Sequence, residues 1–511
     1  MKFRKFAASA MAALMLCASC ILPASAEDAA PDETTVSAGD TDCNGTVNIA
    51  DAVLLARFCA EDAEANITAQ GKLNADLNGD GDITAEDNVL LLKTLAGLTS
   101  QPPAEYRAKD LLDGVAALEM PEADYTGGAF AAAQDDFAAR LLKACAAAKP
   151  GENIMLSPMS VALALGMTAN GADNQTLTEM ANVLGCWRLA PESAEGEAAE
   201  PYTPRVLLDF YNENCYNWLH TQSEALKPAN SVWCRDDSSM LQVPEEFLRT
   251  VKSYYGADIY SAPFDGETVK EINAWCDKKT DGMIPKIIDK LGANDVMLLM
   301  NALCFEADWA SPYSKYAVHD ADFTNADGSV STVDMMYGEE YCYYDDGKAT
   351  GFGKRYAGGQ YKFVAALPNE DVAMEDYLKS LMLDDGLQKF LASETEEEVM
   401  TALPKFSFSC DRKLGDILSA LGMPTAFDNS KADFSRLNTA DQSYISEVLH
   451  KTFIDLNETG TRAAAVTAVI IANKAAPAEP KRVCLDRPFV FMIVDELNGG
   501  IPVFIGIVNA L

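Results

Sequence analysis

Two stretches of this chain place oxygen-bearing side chains at the spacing that a hard divalent cation requires. The first carries Asp40, Asp42, Asn44, Thr46, Asn48 and Asp51; the second carries Asp76, Asn78, Asp80, Asp82, Thr84 and Asp87. Both supply oxygen at loop positions 1, 3, 5, 9 and 12, put glycine (Gly45, Gly81) at position 6, and leave position 7 (Thr46, Asp82) to offer a backbone carbonyl. That is the ligand pattern of a calcium loop of the EF-hand type, so two calcium ions are expected. Position 12 is Asp in both loops, where Glu is usual.

A second constellation lies near the C-terminus, in Glu458-Thr-Gly-Thr-Arg-Ala-Ala-Ala-Val-Thr467. In a strand, Thr461, Ala463, Ala465 and Thr467 would share one face, continued by Val469 and Ile471. Small and apolar residues on that parity could enter a core at little cost, while Arg462 on the other parity stays in water. A linker or an alanine-rich helix fits the bare composition as well. Nothing in the chain assembles a catalytic constellation. There are three histidines, no GxSxG and no HExxH, and Gly351-Phe-Gly353 is too short for a nucleotide loop.

The whole chain has 511 residues, which suggest about three domains by length alone, and 49% hydrophobic residues can build a sizeable core. A net charge of −37 argues against nucleic acid or an anionic membrane as partner. Lys2, Arg4 and Lys5 precede the mostly apolar run 6–22 and the small-residue site Ala24-Ser-Ala26. This reads as a signal peptide over 1–26 of a secreted, extracellular protein, with lipid-modified Cys20 as the weaker alternative. No later segment reaches 18 uninterrupted apolar residues, so no membrane span is expected. Of 13 cysteines, two fall in the signal segment; the other 11 show no CxxC spacing and read as small buried hydrophobes.

Each oxygen-rich loop runs into an apolar helix, 52–58 and 88–95, and neither has a convincing helix before it. A loop with only an exiting helix, duplicated 36 residues apart (76 − 40), resembles a dockerin over residues 38–98. The resemblance implies a small all-α calcium-binding module that docks on a cohesin of a scaffolding protein, as in cellulosome-type complexes on bacterial cell surfaces. Residues 99–124, with Pro102-Pro103, read as a linker and the possible start of a first helix of the next domain.

From residue 125 the chain alternates helical stretches (130–147, 154–169, 177–184) with later strand-like runs (361–367, 401–406, 489–494, 503–508), an α+β order. Asn153-Ile-Met-Leu-Ser-Pro-Met-Ser160, Asn230-Ser-Val-Trp233, Asn301-Ala-Leu-Cys-Phe305 with Trp309, Leu403-Pro-Lys-Phe406, His450-Lys451, Glu458–Thr467 and Arg487-Pro-Phe-Val-Phe491 follow in order. Along 125–511 this series resembles the serpin family. The resemblance implies three β-sheets, about nine helices, a monomeric domain without cofactor, and an exposed reactive loop. A serine protease would cut that loop and be trapped as the loop inserts into the main sheet as a new strand.

On that resemblance Glu458, Gly460, Thr461, Ala463, Ala464, Ala465 and Thr467 form the hinge, and Arg462 departs from the family's usual acidic residue. Ser157, Ser160, Asn301 and His450 form a buried polar cluster that gates insertion, which makes His450 a structural residue and not a base. Trp309 marks where insertion begins. The family's count from hinge glycine to scissile residue, fourteen (474 − 460), gives the bond Lys474–Ala475 and a trypsin-like target. Cleavage one or two residues away would suit an elastase- or subtilisin-like enzyme. The alternative is a non-inhibitory serpin acting as a binding or structural module.

Overall fold

The computed structural model describes residues 38–44, 46–60, 62, 65–77, 83–95, 107–191, 202–236, 241–293, 295–439, 443–461 and 480–511. Several sequence expectations therefore lie outside the described residues: the signal segment, Gly45, Asn78, Asp80, Gly81, Asp82, most of the linker, and Arg462 through Ala475 with the reactive bond. The chain divides into two compact units, Met1–Pro102 and Pro103–Leu511.

The first unit is helical. Helix α1 (Ile49–Cys59) starts at a capping box. Asn48 accepts a hydrogen bond from the Ala50 N–H at 2.8 Å, and Asp51 accepts from the Asn48 N–H at 2.9 Å. Helix α2 (Ala69–Ala75) precedes the second loop, where no helix is expected from the sequence. Its seven residues include a glycine and too few apolar positions for a periodic stripe, and it is started by Thr68, which accepts from the Gly71 N–H at 3.0 Å. Helix α3 is Ala85–Leu95. Ala52, Leu55, Ile67, Ala75 and Leu91 form the core.

The second unit carries nine α-helices and three sheets among its described residues. The main sheet is built from β1 (Lys109–Asp110), β2 (Leu226–Arg235), β3 (Asp258–Ala262), β4 (Met297–Phe305), β5 (Ala307–Asp308), β6 (Phe406–Lys413), β7 (Glu447–Leu456) and β8 (Gly460–Thr461). Its order is β1-β3-β2-β4-β7-β8-β5, with β6 on the outer side of β7. A six-stranded sheet holds 154–156, 501–508, 489–495, 361–368, 349–355 and 343–345; a four-stranded sheet holds 481–484, 399–404, 330–340 and 318–324.

Three of the helices stand out. Helix α4 (Ala129–Ala148) is the first of this unit. Helix α5 (Pro158–Ala169) is buried at every residue, as a helix apolar all round must be. Apolar spacing suggests helix from Ile154, but 154–156 pair with 505–507 as a strand, and Ser157-Pro158 opens the helix with Pro in its first turn. Helix α6 (Gly266–Lys279) is capped by Asp265 and lays Ile272, Trp275 and Cys276 on the sheet residues Trp233, Leu298, Met300, Ala302, Cys304 and Leu449. Residues 107–124 form no helix; Lys109 and Asp110 instead pair with Ser261 and Tyr260 at the sheet edge.

No disulfide joins the described cysteines, and seven of them are buried (Cys145, Cys186, Cys215, Cys234, Cys276, Cys304 and Cys410). No helix among the described residues is long and apolar enough to cross a membrane.

Candidate functional site: a parallel seam, its hinge, and an acidic loop

Strands β4 and β7 run parallel, paired from Leu298–Glu447 to Ala302–Lys451. The ladder stops there, five residues before the end of β7 (456 − 451). Beyond it the chain leaves β7, turns through 457–459, and returns as β8. Thr461 pairs with Leu456 on one side and Ala307 on the other, and Gly460 with Asp308. Gly460 and Thr461, the expected hinge residues, thus sit between β7 and β5, with β8 antiparallel to both, at the open end of the seam.

The turn is held on all sides. The Trp309 N–H donates to the Thr459 carbonyl at 2.8 Å and the Tyr313 N–H to the Glu458 carbonyl at 2.9 Å. The Trp309 indole donates to the Asn457 carbonyl at 2.9 Å. Glu458 forms an ion pair with Lys405 at 2.9 Å, which holds its carboxyl below the usual range. Beneath the hinge the Trp309 ring stacks on Tyr356, centroids 4.3 Å apart. Buried Lys354, paired with Glu340, lies 4.2 Å over the Tyr313 ring. Burial raises the Glu340 carboxyl pKa against the pull of that lysine.

Midway down the seam lies the polar cluster. The Ser157 N–H donates to His450 Nε2 at 3.0 Å, so Nδ1 carries the proton and donates to Asn301 Oδ1 at 2.6 Å. The Asn301 amide donates to Asn230 Oδ1 at 2.9 Å, which Ser160 Oγ also approaches at 3.5 Å. Ser157 Oγ caps α5 by accepting from the Ser160 N–H. Ser157, Ser160, Asn301 and His450 are all buried, and burial pushes His450 down to about 3. The His450–Asn301 bond crosses the seam itself, because those residues face each other in the β4–β7 ladder. His450 is buried and both of its ring nitrogens are taken, one by the Ser157 N–H and one by Asn301 across the seam.

The structure brings together Ser157, Ser160, Asn301 and His450, and separately Trp309 with Glu458, Gly460 and Thr461. Sequence reasoning missed Asn230, which extends the cluster to a third strand, although it opens the Asn-Ser-Val-Trp stretch. It also missed Lys405, although it lies in the Leu403-Pro-Lys-Phe406 stretch, and Tyr313 and Tyr356, which no local pattern marks because they meet the hinge only through the fold.

In the first unit, carboxylate oxygens of Asp40, Asp42 and Asp51 lie within 4.8 Å of one another. Asp40 and Asp51 are buried, and burial together with its two acidic neighbours raises Asp42. Asp51 accepts from the N–H groups of Asp42 and Asn48 at 3.1 and 2.9 Å. Asp87 repeats this in the second loop, accepting from Leu77 and Thr84 at 3.0 and 2.8 Å. The position-12 aspartates thus brace the loop backbone and cap the exiting helix, a task for which the shorter side chain suffices. Asn44 accepts from the Thr46 N–H at 2.8 Å, and the Thr46 carbonyl accepts from the Asn48 amide at 3.0 Å. Thr84 Oγ1 also donates to Asp87 at 3.3 Å, and Asp76 directly follows helix α2. Three converging acid groups, two of them buried, are a hard-oxygen donor set whose mutual repulsion a divalent cation would relieve.

Comparison with known proteins agrees with both halves. The family model for Serpin (serine protease inhibitor) matches residues 132–511, and that for the dockerin type I domain matches 38–96. An uncharacterised serpin-like protein of Thermococcus kodakarensis is 30% identical, over 68% of this chain and 79% of its own. The plasma serine protease inhibitor of Bos taurus is 29% identical over 70% and 86%. Among solved structures, the thermophilic serpin tengpin in its native state is 37% identical, covering 80% of this chain and 100% of its own, with a TM-score of 0.70. Tengpin in its latent state gives 0.61, at 36% identity, covering 78% of this chain and 100% of its own.

Proposed function

This chain belongs to the serpin family and carries a type I dockerin domain, and from that premise we propose that it is a secreted, scaffold-tethered suicide inhibitor of serine proteases. A trypsin-like enzyme would attack the Lys474–Ala475 bond and form an acyl-enzyme. The segment after Thr461 would then zip into the β4–β7 seam and carry the protease with it before deacylation. The observation that carries this reading is β8: Thr461 already paired with both flanking strands and Gly460 with one of them, in the direction a continuing strand needs. Thr461 is small and buried, as an inward position requires.

Loop insertion would break the His450–Asn301 clasp and replace a parallel seam by two antiparallel ladders, the slightly stabler pairing per residue. Asp40, Asp42 and Asp51, with their counterparts Asp76 and Asp87, would hold calcium, whose charge lets buried carboxylates order the cohesin-binding helices. Incubation with trypsin is expected to yield an SDS-resistant complex and a released C-terminal peptide beginning at Ala475. Simple cleavage without complex, at every enzyme ratio, would exclude inhibition.

A further inference from the structure

Tyr356 follows the strand 349–355 of the six-stranded sheet, yet its side chain belongs to the hinge. The ring is stacked on Trp309 at 4.3 Å and met edge-on by Phe305 at 4.8 Å, and the residue is fully buried. Its backbone forms an antiparallel bridge with Trp309. Thus fixed, its hydroxyl lies 2.6 Å from Thr461 Oγ1, which is buried as well. Two rings lock the tyrosine, and one hydroxyl aims at the first hinge residue that must enter the sheet.

We propose that Tyr356 is a positioning residue that nucleates strand insertion, by holding Thr461 in the register from which the rest of the strand zips. The proposal rests on the inhibitory reading above. Thr461 already pairs with Leu456 and Ala307, so in a strand continuing toward Ala302 and Lys451 it need not move. The first residues of any new ordered segment are the costly ones, because backbone freedom is lost before many bonds are gained. A hinge fixed beforehand has met that cost while the loop is intact. Insertion then competes with deacylation from a started ladder and not from a free chain. A buried hydroxyl pair also has no water to fall back on, so departure of Thr461 would leave Tyr356 without this partner.

The test separates nucleation from cleavage. Tyr356→Phe removes one oxygen and keeps the ring packing; Thr461→Val removes the other half of the pair. With trypsin, each variant is expected to acylate at the wild-type rate but to need several-fold more inhibitor per protease trapped. The double variant should be no worse than the worse single one, since one interaction is removed either way. A second readout needs no trapping: after loop cleavage by a protease that is not inhibited, timed aliquots should gain heat stability more slowly in Tyr356→Phe than in wild type. Unchanged stoichiometry and unchanged rate of stabilisation would overturn the proposal. So would faster trapping by the variant, which would make the contact a brake. If wild type traps no protease yet gains stability after cleavage, the inhibitory reading fails while the second readout still judges Tyr356.

Discussion

His450 is a neutral ring where a charged one could not stay. In the unfolded chain it would titrate near 6.5; in the fold burial takes it to about 3. Between those values the unfolded state binds a proton that the native state refuses, so unfolding becomes easier as pH falls. The loss is about 1.4 kcal/mol per pH unit, or roughly 2 kcal/mol between pH 6.5 and 5. Denaturant melts at pH 7 and 5 should show it, and His450→Gln should show a smaller acid loss than wild type. Glu458 has the opposite sign: its pKa is lowered by Lys405, so its contribution is present above the ordinary carboxylate pKa and fades as pH falls through the lowered one. Because that pair is partly exposed, Glu458→Gln should cost at most about 1 kcal/mol in a denaturant melt.

At the scale of elements, α6 and the segment after it are tied to one another and to the seam. Asn273 on α6 accepts from the N–H groups of Ile287 and Ile288 at 2.8 and 3.0 Å and donates to the Ile288 carbonyl at 2.9 Å. Lys451 on β7 reaches the neighbouring Lys286 carbonyl at 2.7 Å. The segment is thereby tied to the helix and to the far side of the seam. Asn273→Ala leaves two N–H groups without this partner and should lower stability by about 1–3 kcal/mol, read as an earlier denaturant midpoint. Helices and strands with clear period are legible from sequence: the stretch 130–147 is the helix Ala129–Ala148, and 489–494 is the strand Phe489–Asp495. What is not legible depends on long-range pairing. Ile154–Leu156 is apolar enough for either structure, and only the strand at 505–507 decides it. Tyr356 and Lys405 reach the hinge from 105 and 53 residues away (461 − 356, 458 − 405), a distance no local window spans.

For the molecule as a whole, two compact units imply two separable melting events. Chelation of calcium is expected to lower only the transition of the first unit, and loop cleavage to raise only that of the second; calorimetry with and without EDTA, before and after proteolysis, checks both. A joint shift on chelation would count against independent units. Cohesin binding should vanish when Asp40 and Asp76 are both changed to Ala, with protease trapping intact. The parallel β4–β7 ladder has one more consequence, for anyone who tries to improve this protein. A library screened for heat resistance would reward substitutions that tighten that ladder, since most stabilising changes are found simply by asking for a higher melting point. Here such winners would favour the unspent molecule over the spent one and lose trapping power, so the useful screen is one that rewards the difference between the two melting points.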